Sequence, residues 1–171
     1  MADDKMRCSF GDNCDENTLV LLKECKKDTT SHARYLKCST EDIHIPESVL
    51  ILNRAGVMGL GLSNLYKHVC LKHRNILGLH WKRNKRTYCH PLHDKSKSST
   101  IARGVTVVQS REIWLKLNVV LPIGSGICRR CIETHKKEIS MGIDLKEELK
   151  EMCSLLEKTA NASNQTGDHL L

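Results

Sequence analysis

Apolar positions in this chain recur at helical spacing in several short segments separated by polar or glycine-rich breaks. Leu19, Leu22 and Cys25 follow the polar run Asp15-Glu16-Asn17-Thr18, which predicts a short first helix ending near Lys27. Residues 31–42, which hold His32 and Cys38, fit no single period, and residues 47–52 suit a strand or a helical turn equally. Beyond Gly56, Gly59 and Gly61, Ser63 offers an N-cap for a helix through Leu65, Tyr66, Val69, Cys70 and His73. After a polar, basic run that begins at Trp81, residues 105–108 predict a strand and residues 111–118 a turn or two of helix. Pro122-Ile123-Gly124-Ser125-Gly126 predicts a tight turn into Cys128, from which a helix runs to about Ser140. Asp144 then caps a last helix whose Leu145, Leu149, Met152 and Leu156, spaced by four, three and four residues, form one apolar stripe. That stripe spans less than two heptads, too short for an independent coiled coil, so it reads as intramolecular core. The polar residues 161–171 are expected to be disordered, and no repeat stands out along the chain.

These elements predict an α+β fold, and composition says what must stabilise it. Only six of 171 residues are aromatic, so the large buried area that aromatic rings bring to a core is scarce. Nine cysteines and nine histidines offer another source of stability, because a bound metal contributes folding free energy that a small apolar core cannot. The expected organisation is a small zinc-stabilised protein with a Cys/His lobe at 1–80, a second zinc-binding lobe at 81–141, an amphipathic helix at 142–160 and a tail at 161–171. Met1 to Arg7 is polar, with no apolar stretch of the kind that marks a secretory signal behind it, so the chain is expected to be intracellular. There thiols stay reduced, and an odd number of cysteines at close spacings suits metal better than disulfides. The most apolar stretch, 49–62, is interrupted by Asn53-Arg54 and by glycines, so no membrane span is expected.

The net charge of +7 is unevenly spread. Residues 67–103 carry ten Lys or Arg against one acid, Asp94, whereas 138–171 carry seven acids against three bases. A basic middle points to nucleic acid, with Lys82, Arg83, Lys85 and Arg86 as candidate phosphate contacts.

The spacing of cysteines and histidines carries the sharpest chemistry. Cys89-x3-His93 is followed, after 34 intervening residues, by Cys128-x2-Cys131, and two close pairs can surround a tetrahedral zinc without strain. A helix starting at Cys128 would put both thiolates at its first turn, where the helix dipole favours negative charge. His90 would point away from this site, and His135, four residues beyond Cys131, would either replace His93 as a ligand or face solvent, the preferred reading. A first set, Cys8-x5-Cys14 with Cys70-x2-His73, can close around a second zinc; mixtures that use Cys25 or Cys38 are the alternative. In the preferred closing Cys25 and Cys38 are small buried apolar residues. Two zinc ions are expected in all.

In ligand order, Cys8, Cys14, Cys70 and His73 resemble the THAP fingers, DNA-binding heads of transposase-derived proteins, over residues 8–73. The first pair here is spaced by five residues and the gap to the second by 55, both departures from that family. The second set, a loop pair and a helix-start pair, resembles a treble-clef finger. The first resemblance implies sequence-specific DNA binding and a transposon-derived or regulatory role in the nucleus. Catalytic spacings such as G-x-S-x-G, H-E-x-x-H or a phosphate-binding glycine loop do not occur, so no enzymatic activity is expected. The competing expectation is a protein-interaction adaptor, or a scaffold of the ubiquitin-ligase type, that docks a protein partner through the acidic C-terminal helix.

Overall fold

The computed structural model describes residues 6–14, 16–40, 43–59, 61–84, 90–97 and 99–164. Among them are six α-helices and four two-residue strands that pair into two antiparallel ladders, an α+β arrangement as expected. None of the helices is long and apolar enough to cross a membrane.

The predicted first helix is replaced by two 3₁₀ turns, Glu16–Thr18 and Leu22–Glu24, on either side of strand β1, Val20–Leu21. The three-residue spacing of Leu19, Leu22 and Cys25 is the period of a 3₁₀ turn as much as of an α-helix, and pairing with a distant strand decides between them. That strand is β2, His68–Val69, in the register Val20↔Val69 and Leu21↔His68. Its presence also breaks the helix expected from Ser63. A 3₁₀ turn, Leu62–Tyr66, precedes β2, and α3, Leu71–Leu77, follows it with Cys70 rather than Ser63 as N-cap.

Between β1 and β2 lie α1, Thr30–Tyr35, and α2, Glu47–Arg54. All eight residues of α2 are buried, the position of a central helix enclosed on every side. The second ladder joins β3, Arg103–Gly104, to β4, Gly126–Ile127. The strand expected at 105–108 is instead the start of α4, Val107–Leu117. Its cause is a capping box: the Thr106 hydroxyl accepts from the Gln109 N–H at 3.2 Å, and the Gln109 carboxamide oxygen accepts from the Thr106 N–H at 3.2 Å. Helix α5, Arg129–Thr134, continues into a π-helical turn, His135–Ile139, so together they fill the helix expected at 128–140. Helix α6, Lys146–Asn164, begins where Asp144 accepts from the Lys146 N–H at 2.9 Å. It runs past the expected boundary at 160.

Three apolar clusters stabilise these elements. One lies under the first ladder, around Leu22, Cys25, Ile51 and Val69, and one under the second, around Val105, Ile113, Ile127 and Ile139. The largest joins Leu36, Val49, Leu50, Val107 and Ile123 to the α6 stripe Leu145, Leu149, Met152 and Leu156. It draws residues from both sides of the expected lobe boundary.

Residues at that boundary are pinned. Arg54 of α2 donates to the carbonyls of Leu77, Gly78 and Ile123 and to His32 Nε2, with its guanidinium 4.4 Å from the Trp81 ring centroid. Carbonyls at the end of α3 carry the partial negative charge of a helix C-terminus, which balances a cation that has no carboxylate among these partners. Trp81 also packs where only glycine fits at 124: φ is +93° and a Cβ would lie 2.7 Å from Leu36 Cδ1 and 3.1 Å from the Trp81 ring.

Candidate metal centres

The first ladder brings two distant ligand pairs together. Cys8 and Cys14 precede β1, whereas Cys70 caps α3 and His73 sits at the third position of that helix. The Ser9 N–H donates to the His68 carbonyl at 2.8 Å and the Cys70 N–H to Cys8 Sγ at 3.4 Å, so main-chain bonds fix the early loop against β2. His73 Nδ1 then lies 3.5 Å from Cys8 Sγ, 3.2 Å from Cys14 Sγ and 3.2 Å from Cys70 Sγ. All four ligand atoms fall within 4.8 Å of one another.

Hydrogen bonding cannot account for this convergence. One imidazole nitrogen has either one proton or one lone pair to offer, and three sulfurs surround it. A tetrahedral zinc with bonds of roughly 2.3 Å to sulfur and 2.0 Å to nitrogen would set S···N edges of about 3.5 Å, close to those observed. Without a cation the thiols cannot all ionise together: burial opposes ionisation of Cys70, but the His73 N–H and then the Cys14 and Cys8 thiols outweigh it and hold Cys70 below its ordinary value. Cys14 is pushed up to about 12, by desolvation first and then by Cys70 and Cys8. A divalent ion reverses that balance, since thiolate is the form that binds metal. Gly11 closes the back of the site, where a Cβ would come within 2.9 Å of His73 Nε2. Cys25 and Cys38, the alternative ligands, are buried in apolar clusters elsewhere.

The second ladder repeats the arrangement. Cys128 is the N-cap of α5 and Cys131 its third residue; His93 Nδ1 lies 3.1 Å from Cys131 Sγ and 3.6 Å from Cys128 Sγ. These three form the second group of the described residues that could hold a metal ion. Cys89, the fourth expected ligand, lies outside the described residues. Burial opposes ionisation of Cys128, but contacts from Ser99, from the Cys131 N–H and side chain and from His93 outweigh it and hold the thiol down at about 7. Its neighbour Cys131 is pushed up to about 12 by burial and by Cys128, so one thiolate is favoured at the other's expense until a cation arrives. No disulfide links any of the eight described cysteines.

Comparison with family models, curated proteins and solved structures found no match.

Two further residues, His135 and Arg83, are placed differently from the sequence reading. His135 does not face solvent: it is 2% exposed, with Nε2 2.7 Å from Glu112 Oε2 and Nδ1 3.4 Å from His90 Nε2. The π-helical turn from His135 to Ile139 accompanies this inward orientation. His90 points away from the centre, as expected, and burial followed by the neighbouring His135 and His93 lowers it to about 4. Arg83 donates to the carbonyls of Gly124 and Leu36 and so ties the chain internally, whereas Lys82 beside it is exposed. Lys85 and Arg86 lie outside the described residues. Sequence reasoning missed the buried Glu47 and Glu112, although a glutamate among apolar residues of a helix is a signal of a paired internal carboxylate.

Proposed function

We propose that this chain is a zinc-binding module, without enzymatic activity, that contacts nucleic acid, and specifically DNA in the nucleus. The observation that carries the reading is a basic rim beside the second centre. Lys95 and Lys97 follow His93, and Arg129 and Arg130 separate Cys128 from Cys131; all four are exposed. Asp94 is held below the usual carboxylate range by the Ser96 hydroxyl and N–H and then by Lys97 and Arg130, one member of each basic pair. Lys82 extends it in sequence. Four protein ligands at the first centre leave no open position for a substrate, the arrangement of a structural rather than a catalytic zinc.

Phosphate contacts release counterions, so log Kd should change linearly with log salt, with a slope of about 0.9 per phosphate on duplex DNA. Fluorescence anisotropy on duplex and single-stranded oligonucleotides is expected to give a steep salt dependence. Replacing Lys82, Lys95, Arg129 and Arg130 by alanine is expected to flatten that slope by about 3.6 while zinc content stays unchanged. Absence of binding tighter than about 10⁻⁴ M in the unmutated protein would remove the nucleic-acid reading. The adaptor reading would then gain weight, because α6 leaves Glu147 and Glu151 exposed while its apolar stripe is buried.

A further inference from the structure

The two centres are built on one plan that no repeat in the sequence announces. In each, an early ligand segment, holding Cys8 and Cys14 in one and His93 in the other, precedes a strand, an inserted segment follows, and the returning strand ends in a buried apolar residue, Val69 or Ile127, before a cysteine N-cap. The caps have nearly the same backbone, φ −79° and ψ 159° at Cys70 and φ −84° and ψ 163° at Cys128, and each is followed three residues later by the next ligand. Each inserted segment contributes a helix that packs on the ligand-bearing one: α2 on α3, and α4 on the π turn that extends α5.

From each inserted helix one buried glutamate reaches across. Glu47 of α2, 1% exposed, takes a bidentate pair of bonds from Arg74, 2.9 Å from Nε and 2.9 Å from the terminal nitrogen, and accepts from the Lys27 N–H at 2.8 Å. Arg74 is the residue after the ligand His73. Glu112 of α4, 3% exposed, pairs with His135 and accepts from the Met141 N–H at 2.9 Å. This second connection continues to the early ligand loop. His90 Nδ1 accepts from the Leu92 N–H at 3.2 Å, so its proton is on Nε2 and is donated to His135 Nδ1, which leaves His135 Nε2–H to donate to Glu112. The His90 carbonyl in turn accepts from the His93 N–H at 3.0 Å. A buried carboxylate is costly unless its oxygens are satisfied, so each glutamate resists any movement of the helix that satisfies it.

We propose that Glu47 and Glu112 are positioning residues for the two metal centres, each setting the affinity of its own centre by fixing the ligand-bearing helix. The proposal rests on the metal reading above. Partners that orient ligands from outside the coordination shell typically alter metal affinity 10–100-fold when removed.

The test uses the whole 171-residue zinc-loaded chain, challenged with a chelator in the presence of a maleimide, with each cysteine's alkylation rate followed by peptide mass mapping. For Glu112→Gln, Cys128 and Cys131 are expected to label at least about ten-fold faster than in the unmutated protein, with Cys8, Cys14 and Cys70 unchanged; Glu47→Gln is expected to give the reverse. Cys25 and Cys38, buried and outside both centres, report unfolding. Equal acceleration of both ligand sets, or no acceleration, overturns the proposal. Should a glutamate variant also expose Cys25 and Cys38, Arg74→Lys and His135→Gln are the milder tests, and loss of site selectivity in those as well overturns it. Labelling of the ligand cysteines in the unmutated protein that is indifferent to chelator removes the metal reading itself.

Discussion

At the scale of single residues, neutral histidines and buried arginines set how the protein responds to acid. Arg54 donates to His32 Nε2 at 3.1 Å, so the imidazole must be neutral to accept. Burial first, then the charges of Arg54 and His80, lower His32 from 6.5 to about 4. An unfolded chain therefore takes up this proton at a higher pH than the folded one. The stabilisation is complete above pH 6.5 and is lost as pH falls from 6.5 towards 4. Urea unfolding at pH 7 and pH 5 is expected to show a larger loss for the unmutated protein than for His32→Gln, whose amide still accepts from Arg54 but does not titrate. Protonation of the metal ligands affects both proteins alike, so equal losses would show that His32 is not the titrating group.

At the scale of elements, α6 acts as a cover on the central cluster. Leu145, Leu149, Met152 and Leu156 are all buried against residues contributed by α2, α4 and the chain around Leu36. Truncating one such leucine removes its transfer free energy and leaves a cavity that close-packed neighbours fill incompletely. Leu149→Ala is expected to lower stability by roughly 2–5 kcal/mol in denaturant titration while both metals remain bound, because no residue of α6 belongs to either ligand group. The exposed pair Lys150–Glu147, at 2.9 Å, is by contrast a surface contact, and its removal is expected to change stability by less than about 1 kcal/mol.

At the scale of the whole molecule, the described residues form three apolar clusters and two groups that could hold metal ions. Native mass spectrometry is expected to find two zinc ions per chain. Cys128→Ser should lose one of them and raise amide exchange around Val105, Ile113 and Ile139, while β1, β2 and α3 keep their protection. Unchanged metal content in that variant would show that Cys128 is not a ligand. The common cluster predicts a further consequence: because Val107 and Ile123 pack with Leu36 and Leu50, part of the disturbance should reach the chain around Leu36.

Local chemistry by itself determined the parts of this protein that depend on near neighbours. The α6 stripe, the Asp144 cap, the turn before Cys128 and the helix beyond it follow from residues a few positions apart, and each is present. The close pairs Cys70-x2-His73 and Cys128-x2-Cys131 likewise need only the first turn of a helix to converge. Tertiary structure decided what depends on partners far along the chain. Val20 pairs with Val69, and so a predicted helix became two turns and a strand. His135 meets Glu112, and so a residue expected in solvent is buried. Arg83 reaches Gly124 and Leu36, so a candidate phosphate contact became an internal tie. The capping box at Thr106 was written locally and shows that a β-branched run, Val105 to Val108, can mask a helix start when periodicity is weighed without its cap. The reason for the division is physical: turns and caps are closed by bonds within a few residues. Strand pairing, buried ion pairs and ligand convergence require the chain to fold back over tens of residues, and many partners compete for each until the core excludes water and selects one.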